Sequence, residues 1–157
     1  MKSRRRRSKR LRVLHLWTLT EVEKAVPYLR SIVGSIREHW LDVLTTERKL
    51  ERADKHPQAR ERARRFAAED MREDRQRAQG KFDDALLELN HIDVYLLDAV
   101  QGLALLPFRK EEELAWYVFD QFADTGLTGW RMHEDPFETC RPLNLLAAPI
   151  ANGPVPN

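Results

Sequence analysis

The run WTLTEVEKAVPYLRSIVGSIREHWLDVL, Trp17 to Leu44, decides the fold. Thr18 and Glu21 stand three apart as a T-x-x-E capping box. In that arrangement the threonine hydroxyl and the glutamate carboxylate satisfy amide groups that the first helical turn leaves without partners. Trp17 and Val22 are placed to staple the same turn. Val22, Val26, Leu29, Val33, Ile36, Trp40, Val43 and Leu44 then recur at spacings of three and four, the single apolar stripe of an amphipathic helix. Pro27 removes one backbone donor and predicts a local kink, and Gly34 weakens the helix nearby.

From Thr45 to Lys81 the stripe thins to Leu50, Ala53, Ala59, Ala63, Phe66, Met71 and Ala78 amid dense Glu, Asp, Lys and Arg, a composition that still favours helix. The strong breaker in this region is His56-Pro57, so the hairpin turn is placed there, with proline suited to the first position of a returning helix from about Gln58 to Asn90. Phe82, Leu86 and Leu89 meet the first stripe near the base. With residues 18 to 55 helical the arm is about 57 Å long at the usual rise per residue, so its tip extends beyond any core the domain can build.

Beyond Asn90 the period changes. His91–Leu97 alternates loosely, and Gly102–Leu106 is apolar and is expected to end at Pro107. Glu113–Phe119 is rich in aromatic and β-branched residues, and Leu127–Met132 follows Gly126. These predict three or four short antiparallel strands joined by the charged turn Arg109–Glu112 and the turn Asp124-Thr125-Gly126. The architecture expected is α+β: a long antiparallel helical hairpin with a small antiparallel three- to four-stranded sheet packed at its open end. Residues 17–142 form that domain, residues 1–16 a basic disordered tail, and residues 143–157 a proline-containing, largely unstructured tail.

The 157 residues suffice for one domain, which at this size buries about 70% of the surface its unfolded chain exposes. No stretch approaches the roughly 18 apolar residues of a membrane span, so no membrane association is expected. The single cysteine, Cys140, excludes an internal disulfide, and a reducing, cytoplasmic setting is expected. Residues 1–12 hold eight basic side chains and no acid, which leaves 19 basic against 25 acidic in the rest of the chain. They do not make a secretory signal, because Arg12 and His15 interrupt the apolar stretch that follows and no small-residue cleavage site comes after it.

Trp17-Thr18-Leu19-Thr20-Glu21 running to Val26-Pro27, the Asp98–Pro107 segment with Gly102-Leu103, Trp116, Trp130, and Phe137 followed by Arg141-Pro142-Leu143 together resemble a bacterial family of uncharacterised proteins, domain-of-unknown-function family 2203. The likeness covers most of residues 17–143, and it implies a fold without an activity. Members of that family look like W-H-x-x-D-x-G-F-x-G-R-x-P-L near the C-terminus. In this chain Trp130 is kept, but Arg131 stands at the histidine, Glu134 at the aspartate, Pro136 and Thr139 at the glycines and Cys140 at the arginine. Val100, Gln101 and Leu105 likewise stand where D-L-D-R-G-L-V-D-F-P has acids and an arginine. Any shared polar site therefore reads as dismantled, and no functional residue is carried over.

The remaining chemistry is sparse. His133, Glu134, Asp135 and Cys140 cluster in sequence, but one Cys and one His with six residues between them lack the paired spacing of a closed zinc site. Cys140 as nucleophile with His133 as base requires a proximity that nothing in the sequence supplies. There is no Gly-rich phosphate loop, G-x-S-x-G or H-E-x-x-H, so neither metal nor cofactor is expected and the chain leans away from being an enzyme. Trp116, Tyr117, Phe119, Phe122 and Trp130 are assigned to the core, because residues 82–157 carry 13 acidic against 4 basic side chains and an acidic face repels phosphate.

Residues 45–81 carry 12 basic and 8 acidic side chains, so tail and arm are basic and the sheet end acidic. The favoured reading is a non-enzymatic interaction module. Arg4, Arg5, Arg6, Arg7 and Arg10 of the tail and Arg60, Arg62, Arg64 and Arg65 of the arm would contact an anionic partner, an acidic protein or RNA, or a second copy in a homodimer. A coiled-coil dimer is the weaker version, since the apolar stripe fails between Lys49 and Gln79. The alternative is a small enzyme or ligand-binding protein with a site near residues 130–141, involving His133, Glu134 and Cys140.

Overall fold

Two helices are followed by four strands and a single 3-10 turn: α1 (Leu19–Lys55), α2 (Glu61–His91), β1 (Tyr95–Asp98), β2 (Leu103–Lys110), β3 (Glu113–Asp120), β4 (Leu127–Met132) and the turn Leu143–Leu145. This is a computed structural model, and it describes residues 13–55 and 61–146. The proposed turn at His56-Pro57, residues 1–12 of the expected 1–16 tail and residues 147–157 of the expected 143–157 tail lie outside the described residues.

The capping box forms as the sequence requires, with Glu21 N donating to Thr18 Oγ1 at 3.2 Å and Thr18 N to Glu21 Oε2 at 3.4 Å. α1 then continues for 37 residues through Pro27. Its stripe divides by function. Val22, Leu29, Ile32, Val33 and Ile36 enter the core with Leu89 of α2 and the inner face of the sheet. Further out the described contacts are between the two helices, through buried Val43 and Ala78, the Trp40 and Phe82 rings 5.1 Å apart, and an Arg75–Glu47 salt bridge of 2.8 Å. Phe66, 66% exposed, marks how far the arm has left the core.

The strands form a simple antiparallel meander in the order β1-β2-β3-β4, so the fold is α+β, a helical hairpin carrying a four-stranded sheet. Alternation decides which side chains meet the helices. Ala104, Leu106 and Phe108 of β2, Ala115, Tyr117 and Phe119 of β3, and Leu127 and Trp130 of β4 all belong to the core cluster. Phe108 stacks on Tyr117 at 3.9 Å and meets Trp130 edge-on at 6.3 Å. Trp116 alternates to the opposite face, and Phe122 is 63% exposed with the Arg37 guanidinium over its ring, so neither joins the helix-facing core expected of the aromatics.

β2 does not stop at Pro107 but runs to Lys110. A proline inside a central strand normally costs a ladder hydrogen bond. Here β1 has ended, its first residue Tyr95 pairing with Leu105. The Pro107 carbonyl, on the edge away from β3, accepts from Trp17 N at 2.7 Å instead. The chain leading into α1 thus occupies the place where β1 runs out, and it is tied further by His15 N to Asp93 Oδ2 at 2.8 Å and Trp17 Nε1 to Asp93 O at 3.3 Å.

The β2–β3 connection consists of Glu111 and Glu112, with φ of 48° and 73°. Two left-handed residues match the strand twist, but the geometry favours Asn-Gly over two glutamates. Gly126, at φ 80°, closes the β3–β4 connection where an added Cβ would lie 2.8 Å from Val26 Cγ1 of α1. Leu143 and Leu146 pack against the core from the C-terminal side.

Leu29→Ala, at a fully buried position, is expected to cost about 2–5 kcal/mol in denaturant unfolding, whereas Phe66→Ala stays within about 0.5 kcal/mol. The double change Glu111→Asn with Glu112→Gly is expected to raise stability by about 1 kcal/mol, read as a higher denaturation midpoint with an unchanged slope.

Candidate functional site

The helices cover one face of the sheet, and the other is built differently. Register places Leu105, Pro107, Trp116 and Arg131 together on that outer face, since Leu105 pairs with Val118, Pro107 with Trp116 and Trp116 with Arg131. The segment after β4 folds back across it. Trp130 N donates to Arg141 O at 2.9 Å and Arg141 N to Trp130 O at 2.7 Å, so one residue pair extends the sheet beyond β4. Gly129 permits the approach, because a Cβ there would overlap the Arg141 carbonyl oxygen and lie 2.6 Å from Cys140 Sγ.

Asp135 closes the returning loop. Its Oδ2 accepts from Met132 N at 2.8 Å and from Arg141 Nε at 2.9 Å, and its Oδ1 accepts from Arg141 Nη2 at 2.7 Å. This bidentate bond from Arg141, followed by the Met132 N–H, holds the Asp135 carboxyl below the ordinary carboxylate range and raises Arg141 in turn.

Arg131 lies beneath that loop, 6% exposed. Its Nη1 donates to Phe137 O at 3.0 Å, its Nη2 donates to Asp135 O, and the Phe137 ring lies 5.3 Å from its guanidinium carbon. Its Nε is buried with no hydrogen-bond partner. No ion pair to Arg131 is found among the described residues; the Asp135 carboxylate is bonded to Arg141, and it interacts with Arg131 at longer range. Two hollows flank this side chain. One, of about 330 Å³, is lined by Leu97, Asp98, Gln101, Leu103, Val118, Arg131 and residues 137–140. The other, of about 300 Å³, is lined by Leu105, Trp116, Arg131, His133 and residues 135–137.

The residues singled out in the sequence are distributed around this centre. His133 and Glu134 line a third hollow with Glu113, Leu114, Met132 and Asp135, whereas Cys140 lines the first hollow described above. The three share none of these hollows. His133 Nδ1 accepts from Trp116 Nε1 at 3.1 Å, and Cys140 Sγ lies 3.9 Å from Thr128 Oγ1. Among the described residues no group of three or more His, Cys, Asp or Glu is arranged to hold a metal ion, and no described helix is long and apolar enough to cross a membrane. Of the basic residues, Arg4, Arg5, Arg6, Arg7, Arg10 and Arg60 lie outside the described residues, Arg62 and Arg64 fall within α2, and Arg65 is an exposed α2 residue.

A family described as an uncharacterized conserved protein (DUF2203) matches residues 15–143, which spans the capping box, the meander and the returning segment. The chain belongs to that family. Nothing among curated proteins or solved structures matches it. In this family member the motif's aspartate and arginine, six residues apart, are absent from 134 and 140, but an acid–arginine pair with the same separation stands one position later. Asp135 and Arg141 form it. The sequence marks Arg131 only as a substitution for histidine. The signal that locates it is strand alternation, which puts it on the face opposite Trp130.

Asp135→Asn is expected to lower the melting temperature at pH 7 and to flatten its acid dependence. A carboxyl with a lowered folded-state pKa contributes stability above the ordinary aspartate range, and that contribution is lost as pH falls towards the folded value. Melting curves of the two proteins between pH 7 and pH 2 should therefore converge at the acid end, and parallel curves would show that the pair contributes nothing.

Proposed function

We propose that this protein binds a small organic anion on the outer face of its sheet, with Arg131 receiving the anionic group. The observation that carries this reading is a buried guanidinium without a carboxylate partner, placed between two hollows. Of the five N–H donors of an arginine, two are used by the Phe137 and Asp135 carbonyls. The one carboxylate that interacts electrostatically with Arg131, Asp135, is hydrogen-bonded to Arg141, and an anion in an adjoining hollow would give the buried guanidinium an ion-pair partner of its own. The volumes, about 330 and 300 Å³, sit at the small end of ligand sites.

The site reads as binding rather than catalysis. Cys140 and His133 line different hollows, and His133 Nδ1 is occupied by the Trp116 N–H, so no nucleophile is set beside a base.

A thermal-shift panel of small carboxylates, phosphates and sulfonates tests the reading. A ligand at one hundred times its Kd adds about 2.7 kcal/mol, which is a shift of roughly 5–10 °C for a domain of this size. Arg131→Gln should abolish the shift. Because that change also removes two hydrogen bonds to the loop, a second readout uses the unaltered protein: Cys140 is exposed and lines the first hollow, so an occupying anion should slow its alkylation by a maleimide. The proposal is refuted when no member of the panel gives either a shift or protection.

A further inference from the structure

Resting on the anion site just proposed, we infer that the ligand carries a positive charge beside its anionic group: an α-amino acid or a similarly short amino-carboxylate. The hollow of about 330 Å³ is lined by one cation, Arg131, and two carboxylates, Asp98 and Glu138. A simple monoanion there meets one attractive and two repulsive charges. A zwitterion can present its carboxylate to Arg131 and its ammonium to the acids, which offsets the repulsion that a monoanion meets there.

The acidic side is built into the turn. Asp98 Oδ1 accepts from Gln101 N at 2.9 Å, which fixes the carboxylate at the end of β1, and no partner for Oδ2 is found among the described residues. Leu97, Leu103 and Val118 supply apolar lining for a short aliphatic substituent. The neighbouring hollow differs in this respect, because its one carboxylate, Asp135, is already paired with Arg141.

The test compares three probes of matched length on the full chain at pH 7: norvaline, pentanoate and butylamine. Binding is followed by thermal shift and by protection of Cys140 from alkylation. Norvaline is expected to bind at least about tenfold more tightly than pentanoate, and butylamine to bind more weakly than either. Asp98→Asn, which keeps an oxygen acceptor for the Gln101 N–H, and Glu138→Gln should each shrink the ratio of norvaline to pentanoate affinity. Pentanoate binding as tightly as norvaline, with Arg131→Gln weakening both, overturns the inference and leaves the anion site standing. Butylamine matching norvaline also overturns the inference, since the carboxylate would then contribute nothing. Absence of binding by both norvaline and pentanoate overturns it together with the anion site.

Discussion

A four-stranded sheet has two faces, and the hairpin covers one. Burial of the α1 stripe, Val22, Leu29, Val33 and Ile36, against the inner residues of β2 and β3 supplies the main apolar contact. Ala104 and Ala115 on the inner face leave room for the helix to approach. Because α1 is far longer than the sheet is wide, its outer half pairs only with α2, and the stripe there is reduced to contacts such as Val43 with Ala78. The charged arm and the uncovered outer face are two consequences of the same packing.

The outer face is managed by polar means. Gly129 admits the returning backbone, the Trp130–Arg141 bridge sets its position, and Asp135 joins Met132 N to Arg141 across the loop. What lies under the loop is a guanidinium rather than a leucine or valine. An apolar residue at 131 would pack between Leu105, Trp116 and Phe137 with no desolvation cost. An arginine there supplies the Phe137 and Asp135 carbonyls with donors, and a ligand of opposite charge would add a second use for the same buried side chain.

Much of the fold was legible because its signals are local. The capping box at Thr18 and Glu21, the stripe at three and four, and the period-two runs in β2 and β3 each act over a few residues. Pro107 misled for a reason of context. It reads as a strand end, and it is tolerated because β1 has already stopped and Trp17 N takes the free edge, a contact ninety residues away in sequence. The site was less legible. Motif matching by position drew attention to Glu134 and Cys140, whereas the acid and arginine that bond each other are their neighbours Asp135 and Arg141. Strand alternation puts Arg131 on the outer face, but its burial comes from the loop that folds back over it, which period alone does not show.

Charge distribution then bears on what the outer face selects. The segment 82–157 carries 13 acidic and 4 basic side chains, and two of those four, Arg131 and Arg141, belong to the site. A field of that sign disfavours the dense charge of a polyanion, whose many phosphates meet the acidic surroundings before one of them reaches Arg131. A small molecule with no net charge crosses the same field with little penalty and still delivers a carboxylate to the buried guanidinium. The acidity that argues against nucleic acid at the sheet end thus favours a ligand with both charges.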